Sequence, residues 1–319
     1  MRLSIITALH NCLSHTQAML ASLRPSLPAP LDWELIFVDD ASSDGTREWL
    51  HTLAVDKRIR VLLQPENLGF AAANNRAAAT ATGDILALLN NDLELAPGWL
   101  DPMLAALDSR PDAALVGNVQ RTPDGAIHHT GVYINARGKP EHDRRVPSPG
   151  VWTPSSATGH TIRDVVITTA ACALARRDTF AQLGGFDESF RNGHEDVDLC
   201  LRARAAGLRN YVALDSSVLH HVSASRGRDR TKIANSARGM NRWRASLPDL
   251  AGEAWRDPHL RPVWEKRLSF AARLRASLAR PAAGSRPAAF PRWLRTVVAH
   301  RIESQLARWR RDLGGVLPQ

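Results

Sequence analysis

Four short stretches hold the side chains that could do chemistry. In "VDD" (38–40) Asp39 and Asp40 close an apolar run, and in "LLNND" (88–92) another run ends in two amides and Asp92. "GHEDVDLC" (193–200) pairs Glu195 with Asp196, and "LHH" (219–221) ends a third run on His220 and His221. A carboxylate within hydrogen-bond reach of a hydroxyl works as a general base. A carboxylate together with an imidazole suits a manganese-like divalent ion. Each stretch also has a plainer use. Tandem acids after a strand serve turns and caps. Glu195 and Asp196 would fall in the first turn of a helix with Val197, Leu201 and Ala205 on its buried face, where the helix dipole alone favours them by about 0.3–1 kcal/mol. On an alternating strand one of the two histidines points inward as a core residue.

The elements between these stretches must position them. Apolar runs at 3–9, 33–40, 59–64 and 84–90 alternate with helix-like segments. The first helix carries Met19, Leu20 and Leu23 inward. The second begins near Thr46 with Ser43 or Asp44 as its N-cap. The third is the Ala-rich 71–83, stopping at Gly83, and the fourth spans 98–109. This order predicts an α/β fold, a Rossmann-like and mostly parallel sheet with helices on both faces. Such sheets bind ligands beyond the carboxyl ends of their strands, where Asp39, Asp40, Asn91 and Asp92 all fall. Residues 136–164, rich in Pro, Gly and charge and without a period, read as a long surface loop of the kind that covers a substrate. Strand and helix return at 165–180, a turn and helix at 184–210, and a strand at 211–226.

Charge separates the two parts of the 319 residues. Residues 226–319 hold 21 Lys and Arg against 7 Asp and Glu, whereas residues 1–225 hold 20 against 25. The boundary falls at 226/227, with a mildly acidic domain before it and a basic, mainly helical extension after it. Trp264, Leu268, Ala271, Leu274 and Leu278 recur at helical spacing, as do Leu294, Val298, Ile302, Leu306, Trp309 and Leu313, with a breaker-rich linker at 281–291 between them. Two uses of these basic amphipathic helices stand side by side: packing on the body of the protein, or lying on an anionic membrane surface through 261–319. No apolar run is long enough to span a membrane. The N-terminus reads as a strand rather than a signal peptide. Three widely spaced cysteines suit reduced thiols in a cytoplasmic protein.

Six blocks occur in order: "VDDASSDGT" (38–46), "NLGFAAANN" (67–75), "LLNNDLELAPGWL" (88–100), "LGGFDESF" (183–190), "GHEDVDLCLRARAAGLR" (193–209) and "LHHVSASR" (219–226). Together they resemble the family 2 inverting glycosyltransferases with the GT-A fold of nucleotide-diphospho-sugar transferases. The rhamnosyltransferase-like branch that builds bacterial cell-surface polysaccharides is the nearest in look. The resemblance covers residues 1–226.

It implies a nucleotide-sugar donor, dTDP- or UDP-linked, a divalent cation (Mn2+ or Mg2+), and a saccharide or lipid-linked oligosaccharide as acceptor. Residue by residue, His10 takes the place of an aromatic beside Asn11 at the end of strand one. Asp40 matches the position that reads the base, with Asp39 supporting the turn. Asn67, Gly69 and Asn74 match the block that lies against the nucleotide. Asn91 and Asp92 match the diphosphate-metal motif, Asp92 with His220 as metal ligands and His221 as a variable neighbour. Asp196 matches the catalytic base and Glu195 its partner, which either raises the pKa of Asp196 or orients the acceptor. An inverting transfer needs one such base, and a divalent ion neutralises the departing diphosphate. One departure stands out. Where the family has a Gly in the block "TTAACAL" (168–174), this chain has Ala170 and Ala171. The implied work is cytoplasmic, or peripheral at the inner face of the cytoplasmic membrane.

Other classes fit less well. A nucleotidyltransferase wants a Gly-rich, cationic phosphate loop after strand one, and a Rossmann dehydrogenase wants GxGxxG there; "HNCLSHTQ" is neither. The non-enzymatic alternative is a membrane- or nucleic-acid-binding protein on a glycosyltransferase-like fold. The basic tail shows helical stripes and no nucleic-acid motif, so no nucleic-acid partner is expected.

Overall fold

The computed structural model describes residues 1–145, 158–222, 230–278, 289–314 and 317. The 226/227 boundary, the "SASR" end of the sixth block, much of the expected loop and most of the 281–291 linker lie outside them. The described residues divide into two compact units, one of Met1–Gly131, 144–145 and 158–222, the other of Val132–Asp143 and the residues from 230 onward.

The first unit runs β1 (Arg2–Leu9), α1 (Leu13–Ser26), β2 (Asp32–Asp39), α2 (Thr46–Thr52), β3 (Ile59–Leu63), α3 (Phe70–Thr80), β4 (Ile85–Leu89), β5 (Leu93–Glu94), α4 (Asp101–Ser109), β6 (Ala113–Arg121) and β7 (Ile127–His129). The second unit takes β8 (Val132–Ile134) and β9 (Pro140–His142). The first resumes with β10 (Ile162–Val165), β11 (Cys172–Arg176), α5 (Arg177–Gln182), α6 (Glu195–Ala205) and β12 (Arg209–His220). Its sheet has the order β10-β12-β6-β11-β4-β1-β2-β3, with β5 on β12 and β7 on β6. Parallel pairing predominates, joining β1 to β2 and β4, β2 to β3, and β6 to β12.

The strands are apolar runs because both faces are covered. Leu3, Ile5 and Leu9 of β1, Trp33, Leu35 and Phe37 of β2, and Ile85, Ala87 and Leu89 of β4 share one core with Met19, Leu20 and Leu23 of α1 and Met103, Ala106 and Leu107 of α4. Alternate residues such as Ile6, Ile36, Val38 and Leu88 are equally buried and must face the other side, where α3 runs against β1 and β2. Helix α3 ends at Thr80, short of Gly83. Gly83 serves a close crossing instead, for a Cβ there would stand 2.6 Å from the Ser4 amide nitrogen. Helix α6 buries Glu195, Asp198, Leu199, Cys200, Leu201 and Ala203; of the expected Val197, Leu201 and Ala205, Leu201 is buried, Val197 half-buried and Ala205 exposed. Asp198 is what rotates it: paired with Arg202 at 2.7 Å, it anchors a guanidinium that donates to the Leu183 and Gly185 carbonyls.

In the second unit β8 and β9 form an antiparallel hairpin, so 136–164 is not loop throughout. Five helices follow: α7 (Arg230–Trp243), α8 (Leu247–Arg256), α9 (Arg261–Glu265), α10 (Phe270–Leu278) and α11 (Arg292–Asp312). The stretch 261–280, expected as one helix, is thus broken. Leu294, Val298, Ile302, Leu306 and Trp309 of α11 are buried, with Ile302 against Gly138. The Trp264 indole donates to the Ile134 carbonyl, and the buried His259 and Asp143 pair at 2.9 Å. The apolar stripe of α11 is therefore core, leaving that face unavailable to a membrane. No helix among the described residues is long and apolar enough to cross one.

Candidate functional site

Asp39 and Asp40 end up serving their own chain. Asp39 is fully buried, accepts from the Ser42 amide and pairs with Arg47 at 2.5 Å, which is the turn support expected of it. Asp40 accepts from the Gln64 amide and the Leu68 N–H on one oxygen, and from the Gly69 N–H on the other, all at 2.8 Å. Its carbonyl accepts from His10 Nδ1 at 2.8 Å and from Asn67 Nδ2 at 3.3 Å. His10, exposed at the end of β1, and the Asn67–Gly69 loop are thereby gathered around one buried carboxylate. Gly69 needs its freedom, with φ at 94° and Arg191 Cγ 2.8 Å from where a Cβ would sit. Asn74 is buried in α3 and donates to the Phe70 carbonyl. Asp44 works at two helix starts, accepting from the Thr46 amide and hydroxyl and from the Leu13 N–H.

Asp92 and His220 meet because a two-residue strand follows the acid. β5 pairs with the end of β12, setting Leu93 opposite His220, and the Asp92 carbonyl accepts the His221 N–H at 2.9 Å. His220 Nε2 then lies 3.1 Å from the buried Asp92 Oδ1, which among the described residues accepts no well-formed hydrogen bond. Gln120 Oε1, only an acceptor, stands 2.8 Å from His220 Nδ1 and so keeps a proton on that nitrogen, turning Nε2 toward the carboxylate. Burial pushes the Asp92 carboxyl up, but the His220 ring, with a smaller contribution from His15, outweighs it and holds the pKa below its ordinary value. Two ligands set at right angles about 2.1 Å from an octahedral ion stand about 3 Å apart. The pair, with its orphaned oxygen, fits a divalent cation. Among the described residues no group of three or more His, Cys, Asp and Glu is so arranged, so such an ion would draw its other ligands from substrate and water. Asn91 donates to the Thr16 hydroxyl at 3.0 Å. Next to His220, His221 pairs with Glu94 at 2.6 Å.

Glu195 and Asp196 open α6 after three left-handed residues, Asn192, Gly193 and His194. Asp196 accepts from the Val197 N–H at 2.8 Å and, at 3.4 Å, from that of Ala170. The Ala171 carbonyl next door accepts the Asn90 N–H at 2.8 Å. The Ala170–Ala171 turn therefore links the acid pair to the "NND" strand end. Glu195 is buried and accepts from the Gly193 N–H at 2.5 Å. Burial, then the charge of Asp196, pushes its pKa up to about 8. It is thus Glu195 that the pair perturbs upward. His194 is lowered by burial.

Three residues that no sequence pattern had singled out prove structural partners of the site. Asn75 clamps Phe186, accepting from its N–H at 2.9 Å and donating to its carbonyl at 2.8 Å. Gln120 orients His220, and Asn192 accepts from the Phe70 N–H at 3.0 Å. Asn75 alone lay inside one of the recognised blocks; the others face partners about a hundred residues away, and no local signal marks them.

With this geometry in place, comparisons with known proteins identify the class. Residues 4–180 match the family described as Glycosyl transferase family 2. The O-antigen biosynthesis protein RfbC of Myxococcus xanthus is 34% identical over 247 residues, 76% of this chain but 19% of that protein. The N-acetylglucosaminyl-diphospho-decaprenol L-rhamnosyltransferase of Mycobacterium tuberculosis is 31% identical over 267 residues, 73% of this chain and 83% of the relative. This chain spans 22% of a third relative, the y4gI protein of Sinorhizobium fredii; it thus covers about a fifth of that protein and of RfbC. Among solved structures, GalNAc-T7 with UDP, GalNAc and Mn2+ superposes with a TM-score of 0.65 at 16% identity, covering 95% of this chain and 57% of that one. The mannosyltransferase PcManGT from Pyrobaculum calidifontis, with GDP-Man and Mn2+, gives 0.56 at 20%, covering 97% and 87%. The fold is that of the GT-A glycosyltransferases. The chain belongs to glycosyl transferase family 2.

Proposed function

We propose that this protein is an inverting, divalent-metal-dependent glycosyltransferase. It moves a hexosyl or deoxyhexosyl group from a dTDP- or UDP-linked donor to a hydroxyl of a saccharide or lipid-linked oligosaccharide during bacterial cell-surface polysaccharide synthesis. The observation that carries this reading is the Asp92–His220 pair, 3.1 Å apart with an orphaned carboxylate oxygen, one turn of chain from Asp196. The names of RfbC and of the mycobacterial rhamnosyltransferase support the pathway, and the two Mn2+ complexes support the metal. We place the reaction in the cytoplasm, at the inner face of the membrane when the acceptor is lipid-linked.

In this reading His10 and the Asn67–Gly69 loop hold the nucleoside around Asp40, while Asn74 and Asn91 shape the adjoining backbone. Asp92 and His220 would hold Mn2+ or Mg2+, which would supply Lewis-acid neutralisation of the diphosphate charge. Asp196 takes the proton from the acceptor hydroxyl as that oxygen attacks the anomeric carbon, and the nucleoside diphosphate departs from the opposite face. Burial and the charge of Asp196 push the Glu195 carboxyl up toward its neutral form, whose O–H suits orienting the acceptor rather than competing for the proton. Calorimetric titration with UDP and dTDP, with and without Mn2+, tests the carrying observation. Binding should tighten with Mn2+ in the wild type and lose that dependence in Asp92→Ala. Equal affinity with and without Mn2+ in the wild type would remove the metal reading.

A further inference from the structure

We infer that Asn192 is a positioning residue that sets the Glu195–Asp196 pair from the nucleotide side of the site; this rests on the reading of Asp196 as base. Helix α3 starts at Phe70 behind Gly69, which has no side chain with which to cap it. The first amides of a helix have no partner within the helix. Asn192 supplies that partner, its Oδ1 accepting the Phe70 N–H at 3.0 Å. A residue 122 positions away thus does the work of an N-cap. Beside it, Arg191 Nη2 donates to the Asn67 carbonyl at 2.5 Å, and Asn75 holds Phe186 by both its amide and its carbonyl. The segment leading into Glu195 is therefore pinned at three points to residues 67–75, the loop and helix that surround Asp40.

The backbone between the last pin and the acids has little slack. Asn192, Gly193 and His194 have φ of 100°, 124° and 75°, and a left-handed conformation costs a residue other than Gly roughly 1–2 kcal/mol. Such strain persists where surrounding contacts over-determine it. Of the three pins to residues 67–75, the Phe70–Asn192 bond lies nearest the acids in sequence. When it holds, the position of Asp196 follows the donor loop. When it is lost, the carboxylate is free to shift while the donor loop keeps its own anchors on Asp40. A displacement of about 1 Å at a catalytic group costs on the order of 10²-fold in rate.

Two substitutions separate the hydrogen bond from the backbone. Asn192→Gly keeps the left-handed conformation and removes the acceptor, whereas Asn192→Asp keeps both. Asn192 is exposed, so neither change touches the core. With purified enzyme, Mn2+, donor and acceptor, N192G should lower kcat by about 10- to 100-fold, leaving donor KM and UDP affinity near wild type. N192D should retain most of the rate. Donor hydrolysed to water, as a share of donor consumed, should rise in N192G only. Unchanged kcat in N192G, or equal losses in N192G and N192D, would overturn the assignment. If Asp196→Asn keeps wild-type kcat, the base reading fails instead, and the Asn192 variants then report on a different group.

Discussion

Asp40, just past the end of β2, accepts three hydrogen bonds from its own chain, whereas Asp92, beyond β4, has a buried oxygen that accepts no well-formed one among the described residues. Both acids sit at the carboxyl end of a parallel strand and both are largely buried, so position does not distinguish them. Their partners do. The backbone around Asp40 bends to it, and the acid is the keystone of the Asn67–Gly69 loop. The backbone around Asp92 brings one imidazole, that of His220, to face it at 3.1 Å. An unsatisfied buried group costs about 1–3 kcal/mol. On the proposed reading, the oxygen left beside an imidazole is where a divalent cation would sit, so that an acid that organises the site and one that would meet a ligand differ in what their own chain supplies.

Asp196 stands between the two, one oxygen accepting the Val197 N–H at 2.8 Å and the other making only a stretched contact with the Ala170 N–H at 3.4 Å. The sharpest test of the contrast is therefore Asp196→Asn set against Asp40→Asn. D196N should lower kcat by about 10²–10⁴-fold, the usual worth of a general base, with UDP affinity unchanged. D40N should instead weaken UDP binding and spare kcat at saturating donor. If D196N binds UDP poorly and D40N loses kcat, the two acids have been assigned the wrong way round.

Stability offers a second, smaller test. Asn at position 40 puts an amide N–H against the Gly69 or Leu68 N–H, so D40N should lower the urea unfolding free energy by about 2 kcal/mol. D92N removes a carboxylate whose ionised form folding favours through His220, and it should lose less stability than D40N because it gives up one close partner rather than three. Equal losses would mean that Asp92 is as structural as Asp40, and the cation reading would lose its physical ground.

The contrast also explains how much of the molecule was legible in the sequence. The β-α alternation through residue 109 was plain, because strands buried on both faces are apolar runs and α1 to α4 carry helical stripes. The acids at strand ends were visible too, but not their division of labour, which depends on amides contributed by Leu68 and Gly69 and on the two-residue β5, too short to have a period. Residues 136–143 fall inside the loop expected at 136–164, because a three-residue strand such as β9 carries no pattern. The partners of the β8–β9 hairpin in α8, α9 and α11 lie more than a hundred residues on. The stripe of α11 was legible as a stripe. What covers it was not, since periodicity says that a face is apolar and nothing about its neighbour.

Glu195 completes the comparison as the acid that is buried and kept neutral. Burial, and after it the charge of Asp196, lifts its pKa from an ordinary value of 4.5 to about 8. Between those values the native state holds a proton that the unfolded chain has released. Its contribution is therefore fully present below about pH 4.5 and is lost as pH rises toward 8, at no more than about 1.4 kcal/mol per pH unit. Gln at 195 stays neutral throughout and should flatten that slope. Unfolding free energies of wild type and Glu195→Gln, measured from pH 5 to 9, should diverge in favour of the variant as pH rises and run parallel above about pH 8. Curves that stay parallel from pH 5 would mean that Glu195 is ionised in the folded protein. It would then stand with Asp196 as a second carboxylate able to take the acceptor's proton, and the division between an orienting acid and a base would have to be redrawn.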